Sequence, residues 1–434
     1  MTDRLDIWLY GLRVAHIETA TDGRIRLDWT SDARDRWGEG TRVLSAKLPI
    51  GTQPVPALVR NYLDGLLPEG NARTNHAMTA GLAPDNTFGL IRAYGRDTTG
   101  AALFVEPGTG DPTRAGRYER IEIEEVSERL RYADVHSPAR YGGVTGESSA
   151  LPGMVPKIAL HRDGPNWFAC KDGAPSTWIL KRAFPSDSGI GDIIDTEVAC
   201  LALAGEVGLT TVQAEVIDFG TQRAIAVSRY DRQATGPDPR LHQEDLAQAI
   251  GLSTSDPNRK FQYGSQMPSL SHGAHVLRLD GGNPDRLLRL ATFSHLVGNT
   301  DMHAKNISFL RLPDGRVTLA PAYDIAMHLH HPSDNRRSAL DVNGRFLVSD
   351  ITLDDLVQEG ASWGLPKSRA ARVVNQATRD LSLALDGIDR TLHPGVEDDA
   401  WDRVSERVFQ ATDPLASAPV RGHSRRRGPK RPRA

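Results

Sequence analysis

Cysteine is nearly absent: Cys170 and Cys200 are the two in 434 residues. Two thiols cannot build a disulfide framework, and without a CxxC pair the sequence encodes no structural zinc knuckle. Long apolar runs are missing as well, none approaching the roughly twenty residues that a membrane helix needs. The opening MTDRLDIWLYGLRVAHI lacks the basic stretch and continuous apolar run of a signal peptide, so the reading is a cytoplasmic protein with no membrane association. An excess of one charge is also lacking. The 52 Lys and Arg stand against 55 Asp and Glu, a net −3, which excludes a body that binds nucleic acid by charge alone. Nor is there a GxxxxGKS/T motif; the glycine-rich GGVTGESS has no lysine, and a P-loop NTPase is ruled out.

What the chain does have is enough apolar residue, 39%, to fill two or three cores at this length. Residues 1–112 read as a β-rich unit with one helix. LDIWLYGLRVAHIET alternates around Gly11 as a hairpin does, GRIRLDWT supplies another strand, and ALVRNYLDGLL has helical spacing. Residues 113–235 read as an antiparallel sheet crossed by one helix. The strands fall in LPGMVPKIAL, WFACKDG, STWILKRAF and TTVQAEVIDFGTQRAIAVSRYDR; the helix is DIIDTEVACLALAGEVGL, acidic at its start. From HQEDLAQAIGL onward, residues 236–412 are mainly helical in pattern. PDRLLRLATFSHLVGN begins near Pro284 and stops at Gly298. After NTDMHAKN, the segments ISFLRL, PDG and RVTLA make a hairpin that leads into PAYDIA. Residues 413–434 end in RGHSRRRGPKRPRA, with seven Lys or Arg and nothing apolar to bury. Such a tail is expected to be disordered, either merely solvated or an arm toward nucleic acid or another polyanion. The resulting fold class is α+β: a two-lobed body with an α+β first lobe and a helical second lobe, preceded by a small β-rich subdomain.

The loop NTDMHAKN gathers Asp301, His303, Lys305 and Asn306 between a helix and a strand. In kinase-like phosphoryl transfer one aspartate positions and deprotonates the acceptor hydroxyl. An asparagine five residues on holds Mg2+, and a second aspartate further along holds metal too. Asp301 and Asn306 have that spacing, and Asp324 follows a hairpin that can fold it back beside Asn306. Two hard oxygen ligands leave the rest of the Mg2+ shell to phosphate oxygens and water. Lys305, or Lys181 from the sheet, would offset phosphate charge. Lys181 and Glu197 of the next helix also have the order of a kinase ion pair. Each residue has an ordinary structural use as well, since Asp and Asn in loops satisfy backbone N–H groups and Glu197 suits a helix start. A rival reading builds a metal-dependent hydrolase from His303, His328, His330 and His331 with the two aspartates. MHLHHP, however, has no recognisable ligand spacing and reads as an exposed polar turn before Pro332.

GNTDMHAKNISFL and PAYDIA closely resemble the catalytic and metal-binding motifs of the HipA-type serine/threonine kinases, toxins of bacterial toxin–antitoxin pairs. RNYLDGLLPEGNAR and TFGLIRAYGRDTTGAALFV resemble that family's small N-terminal subdomain. LPGMVPKIAL, WILKRAF, DTEVACLALAGEVGL, SRYDR and HQEDLAQAIG follow in the family's order, and the likeness spans residues 5–385 or so. The resemblance implies ATP and Mg2+ as cofactors, Asp301 as the catalytic aspartate, and Asn306 and Asp324 as Mg2+ ligands. It implies that Lys181 contacts the ATP phosphates and that Pro152, Gly153, Met154, Val155, Pro156 and Lys157 cover them. Ser228, Arg229 and Tyr230 would form the interlobe hinge whose backbone meets adenine, with His303 and Tyr323 bordering the nucleotide. The implied partners are a helix-turn-helix antitoxin of the HipB type and a protein substrate such as an aminoacyl-tRNA synthetase, glutamyl-tRNA synthetase in particular. DNA would be met only through the antitoxin or the basic tail.

The phosphate loop departs from this family. Relatives commonly read Ser-x-x-Gly-x-Gln-x-Lys, whereas this chain reads ALPGMVPK. Ala150 stands at the autophosphorylated serine and has no hydroxyl to accept phosphate, so self-inactivation is lost or passes to Ser148 or Ser149. Val155 removes a polar group near the phosphates, and Ser228 stands where a glutamate is frequent. A second reading is therefore a kinase-fold module that binds nucleotide and antitoxin but transfers nothing.

Overall fold

The computed structural model describes residues 3–114, 116–133, 151–153, 157–232, 239–264 and 266–412. Met154, Val155 and Pro156 of the phosphate loop, Ala150 with Ser148 and Ser149, and the basic tail 413–434 lie outside them.

The first strands, Arg4–Leu9 and Leu12–Thr19, pair antiparallel across Tyr10 and Gly11. Both turn residues have positive φ (52° and 74°), as a two-residue hairpin twisting with its strands requires. Ile25–Trp29 and Leu103–Val105 complete a four-stranded sheet. It packs over Pro56–Gly65 and Thr87–Tyr94 around Ile7, Ile17, Leu63 and Ile91. The sequence pattern gives one helix here; the chain folds four, with Ser31–Trp37 and Gly70–Thr79 the others. SDARDRW and GNARTNHAMT are too polar to show an apolar stripe, and Ala33 and Ala77 are the residues they bury.

Next comes a six-stranded antiparallel sheet, in the order Arg117–Ile121, Asn166–Lys171, Lys157–Asp163, Trp178–Arg182, Gln222–Ser228 and Ala214–Phe219. Successive side chains of a strand point to opposite faces, and both faces are used. Ala224 and Ala226 join a cluster with Val126 and Leu130 of the helix Ile123–Tyr132. Ile225 and Val227 join Ile194 and Leu201 of the helix Ile193–Glu206. One covering helix was expected, and there are two, because a sheet apolar on both sides must be covered on both.

The C-terminal lobe packs Leu270–Leu279, Pro284–Val297, Leu353–Ser362, Lys367–Gly387 and Asp398–Thr412 around Leu288, Phe293, Trp363, Leu381 and Trp401. HQED is not helical as its context suggests: His242–Asp245 is a strand against Ser308–Arg311, which pairs in turn with Val317–Leu319. An open hairpin edge takes a third strand, and buried Arg311 ion-pairs with Glu244 of that strand. Among the described residues no helix is long and apolar enough to cross a membrane.

Candidate active site

Strand register builds the first half of the site. Lys157 and Lys181 are partners on adjacent strands, so both side chains leave the sheet on one face. Ile225, the partner of Lys181 on its other side, lies in the cluster under Ile193–Glu206, so this face looks at that helix. Lys181 Nζ reaches the Glu197 carboxylate at 2.9 and 3.1 Å and Asp324 Oδ1 at 2.5 Å. One ammonium thus joins sheet, helix and C-terminal lobe. Lys157 Nζ donates to the Pro152 carbonyl at 2.8 Å. Gly153 stands at φ 108°, and a Cβ there would meet Lys157 Nζ at 2.7 Å; this turn takes glycine.

The loop after Pro284–Val297 builds the second half. Gly298 leaves the helix at φ 76°, where a Cβ would lie 2.9 Å from Leu329. Asn299 Oδ1 then accepts from the Asp301 N–H at 3.1 Å. The Asp301 carbonyl accepts from the His303 N–H at 2.8 Å and from Asn306 Nδ2 at 2.9 Å. A carbonyl can only accept, so the amide end facing it is nitrogen, and the oxygen of Asn306 is left for a cation. Asp324, past the hairpin, sits at φ 55°, a left-handed conformation that Asp and Asn tolerate better than most residues. Asp301, His303, Asn306, Asp324, Lys157 and Lys181 line one cavity of about 370 Å³, whose apolar wall includes Ile179, Val212 and Val227.

The charges in this cavity set one another's protonation. Enclosure lifts the Asp301 carboxyl to about 7, and the Asp324 charge adds to the lift. Its side chain keeps 46% exposure, so the carboxylate opens into the cleft. Burial would raise Asp324 as well, but Lys181 and then Lys157 outweigh it and hold that carboxyl well below the usual range. Lys157 is pushed down to about 8, first by burial and then by repulsion from Lys181. Burial, and Lys260 after it, hold His303 at about 3, a neutral imidazole.

The sequence matches the model of the HipA-like C-terminal domain over residues 149–384, more than half of the chain, and that of the HipA N-terminal domain over 5–105. The chain belongs to the HipA kinase family. The serine/threonine-protein kinase toxin HipA of Shewanella oneidensis is 27% identical over 399 residues, 86% of this chain and 90% of that protein. Y4mE of Sinorhizobium fredii is 29% identical over 385 residues, 86% of this chain and 88% of that protein. Among solved structures, a chain from the Shewanella oneidensis MR-1 toxin–antitoxin complex of HipA, HipB and operator DNA superposes with a TM-score of 0.75. It does so at 24% identity over 94% of this chain and 95% of that one, a likeness of fold.

Within this HipA scaffold, two residues expected at the nucleotide have other partners. Lys305 Nζ lies 3.2 Å from the Gly65 carbonyl, 3.3 Å from Glu69 and 3.2 Å from Asp245, so its charge is spent on the N-terminal subdomain and a buried carboxylate. The Arg229 side chain is held by Asp231, Ser176 Oγ and the Thr98 carbonyl at 2.8–2.9 Å. At the hinge the Ser228 N–H donates to Gln213 O and the Arg229 N–H to Thr177 O. Neither N–H is open to a base, which leaves the carbonyls and Tyr230. The Tyr230 ring stands 5.5 Å from that of Tyr323, and its hydroxyl donates to Gln243 Oε1. Tyr323 donates to the Lys305 carbonyl and accepts from Ser308 Oγ, both at 2.7 Å, pinning the loop that follows Gly298.

The histidines divide. His303 Nε2 lies 3.9 Å from Asp301 Oδ1, whereas His330 and His331 are buried against Asp192 at 2.9 and 2.7 Å. MHLHHP is thus no exposed turn, because the N-terminal lobe covers it. Glu69, Lys260 and Asp245 of the cavity surroundings were not foreseen. Glu69 is buried; its N–H donates to Gly153 O at 3.3 Å and its carboxylate holds Lys260 and Lys305. PEGN reads only as a helix stop, and Lys260 sits in no motif. Asp245 was findable, since Asp-x-x-Gln is a capping-box pattern and Asp245 with Gln248 forms one.

Proposed function

We propose that this chain is an ATP- and Mg2+-dependent protein serine/threonine kinase, the toxin of a toxin–antitoxin pair, working in the cytoplasm with a helix-turn-helix antitoxin of the HipB type. The observation that carries the reading is the convergence of Asp301, Asn306, Asp324 and the Lys181–Glu197 pair on one cavity. The donor set fits the metal: an amide oxygen and a carboxylate are hard ligands, too few for an all-protein cage, as Mg2+ beside phosphates prefers. Asn306 and Asp324 would hold it, and bound Mg2+ would neutralise phosphate charge. Asp301, poised near neutrality, would orient the acceptor hydroxyl and take its proton. Lys157 and Lys181 would hold the phosphates, with Gly153 admitting them closely, and Lys305 would serve as the tether of the loop. The acceptor would be a serine or threonine of a translation component such as an aminoacyl-tRNA synthetase, and DNA would be met through the antitoxin.

The test is transfer from labelled ATP with Mg2+ into a lysate and into the protein itself, with Asp324→Asn as control. Label on a lysate protein, absent with Asp324→Asn, is the expected result and names the substrate. No label anywhere, with ATP still bound, would leave the nucleotide-binding module that Ala150 and Val155 suggest. A second expected outcome concerns Lys157, which is only partly protonated at pH 8. A phosphate beside it stabilises the ammonium, so ATP binding at pH 8 should take up a fraction of a proton. Calorimetry in buffers of different ionisation enthalpy measures this, and Lys157→Met should reduce it, leaving the smaller uptake expected of Asp301 in the same cavity.

A further inference from the structure

Away from the cavity, Asp192 of the first lobe meets two consecutive histidines from the segment that follows Asp324. His330 Nε2 lies 2.9 Å from Asp192 Oδ2 and 3.1 Å from Oδ1, and His331 Nε2 lies 2.7 Å from Oδ1. The three side chains are 2%, 4% and 8% exposed for His330, His331 and Asp192. Asp192 occupies the N-cap of the helix Ile193–Glu206, yet its side chain makes no capping hydrogen bond. An N-cap aspartate ordinarily spends its carboxylate on the first helical N–H groups; here it is given to the imidazoles. Adjacent residues reach one point only because their rings lie 3.9 Å apart at a 46° tilt.

We propose that Asp192, His330 and His331 form a binding site for a divalent transition metal, zinc above all, separate from the Mg2+ ligands of the cavity. Two imidazole nitrogens and one carboxylate are a zinc donor set, with a fourth position for water. The three donor atoms lie within 4.8 Å of one another. Bonds of about 2.0–2.1 Å place tetrahedral ligands about 3.3 Å apart, so the two imidazoles, now 2.7–3.1 Å from the carboxylate oxygens, would move outward by up to about half an ångström to admit the ion. Among the described residues no group reaches Nδ1 of either histidine. Zinc ligands normally donate through that nitrogen, and sites without the outer partner bind about 10–100-fold more weakly. The site is therefore exchangeable, binding and releasing zinc rather than being built around it. When filled, it clamps the helix that carries Glu197 to the segment that carries Asp324.

Equilibrium dialysis of the full chain against zinc alone, with excess Mg2+ and no nucleotide, tests this. The wild type should hold one zinc equivalent more than Asp192→Asn and more than His330→Gln/His331→Gln, while Asp324→Asn keeps it. Circular dichroism checks that the variants fold. X-ray absorption on the zinc-loaded wild type, which needs no variant, should show a four-coordinate ion with two imidazoles and oxygen. Equal zinc content in the wild type and the double variant, or a zinc shell without paired imidazoles, would overturn the proposal and leave the cluster a hydrogen-bonded clasp.

Discussion

Asp301→Asn should lower phosphoryl transfer by about 10²–10⁴-fold, the usual size of a general-base effect, with nucleotide binding retained. The backbone of Asp301 organises the loop through its carbonyl and N–H, and asparagine leaves those bonds in place. What is lost is the carboxylate alone. Its ordinary range lies near 3.8, and enclosure by the cleft followed by the charge of Asp324 lifts it to about 7. A base works when deprotonated, so kcat/KM should climb as pH rises through about 7 and level off above; the residual rate of Asp301→Asn should lack that step. The same shift has a stability face. A carboxyl whose pKa is raised on folding favours the folded chain while protonated, and that contribution is lost as pH rises through the folded value. Asp301→Asn should therefore raise the unfolding temperature relative to the wild type at pH 8 and leave it nearly unchanged at pH 3. An unaltered transfer rate would remove Asp301 from the chemistry.

The largest stability effect is expected at Asp97. Its side chain is wholly buried; it accepts from Arg232 Nη2 at 2.9 Å and from the Ser176 N–H at 3.2 Å, and lies 3.9 Å from Arg229. Arg229 and Arg232 share the second carboxylate, Asp231, which also accepts from the Gly100 N–H at 2.7 Å. Two guanidinium groups against two carboxylates are balanced. Removing one acid leaves a buried positive charge without its partner, a loss of about 3–5 kcal/mol against a typical total of about 5–15 kcal/mol. Asp97→Ala should move the urea midpoint down with an unchanged slope. Asp97→Ala/Arg232→Met should recover part of the loss, since neutral groups of similar volume bury at little cost.

Much of this was legible because periodicity and spacing are local. Strands alternating around Gly11, the helix from Pro284 to Gly298 and the Asp301–Asn306 spacing are written within a few residues of one another. Their partners are not. Nothing near Lys305 says that its ammonium will be claimed by Glu69, 236 positions earlier, and nothing in MHLHHP says that Asp192 will cover it. Short polar helices such as Gly70–Thr79 carry no apolar stripe in the sequence, because they bury one alanine and lean on neighbours. HQED has a helical context in the sequence because its strand identity comes from the open edge of a hairpin more than sixty residues later.

Glu69 and Asp97 acquire a further meaning when the chain is considered in the order of its synthesis. Both belong to the unit that leaves the ribosome first, and domains made first tend to fold first. Their cationic partners, Arg229, Arg232, Lys260 and Lys305, are translated more than a hundred residues later. Until then Glu69 and Asp97 lack these four cations. The cleft is assembled only once Asn306 and Asp324 have been made as well, so a chain terminated earlier holds the N-terminal cradle without the loop that faces it.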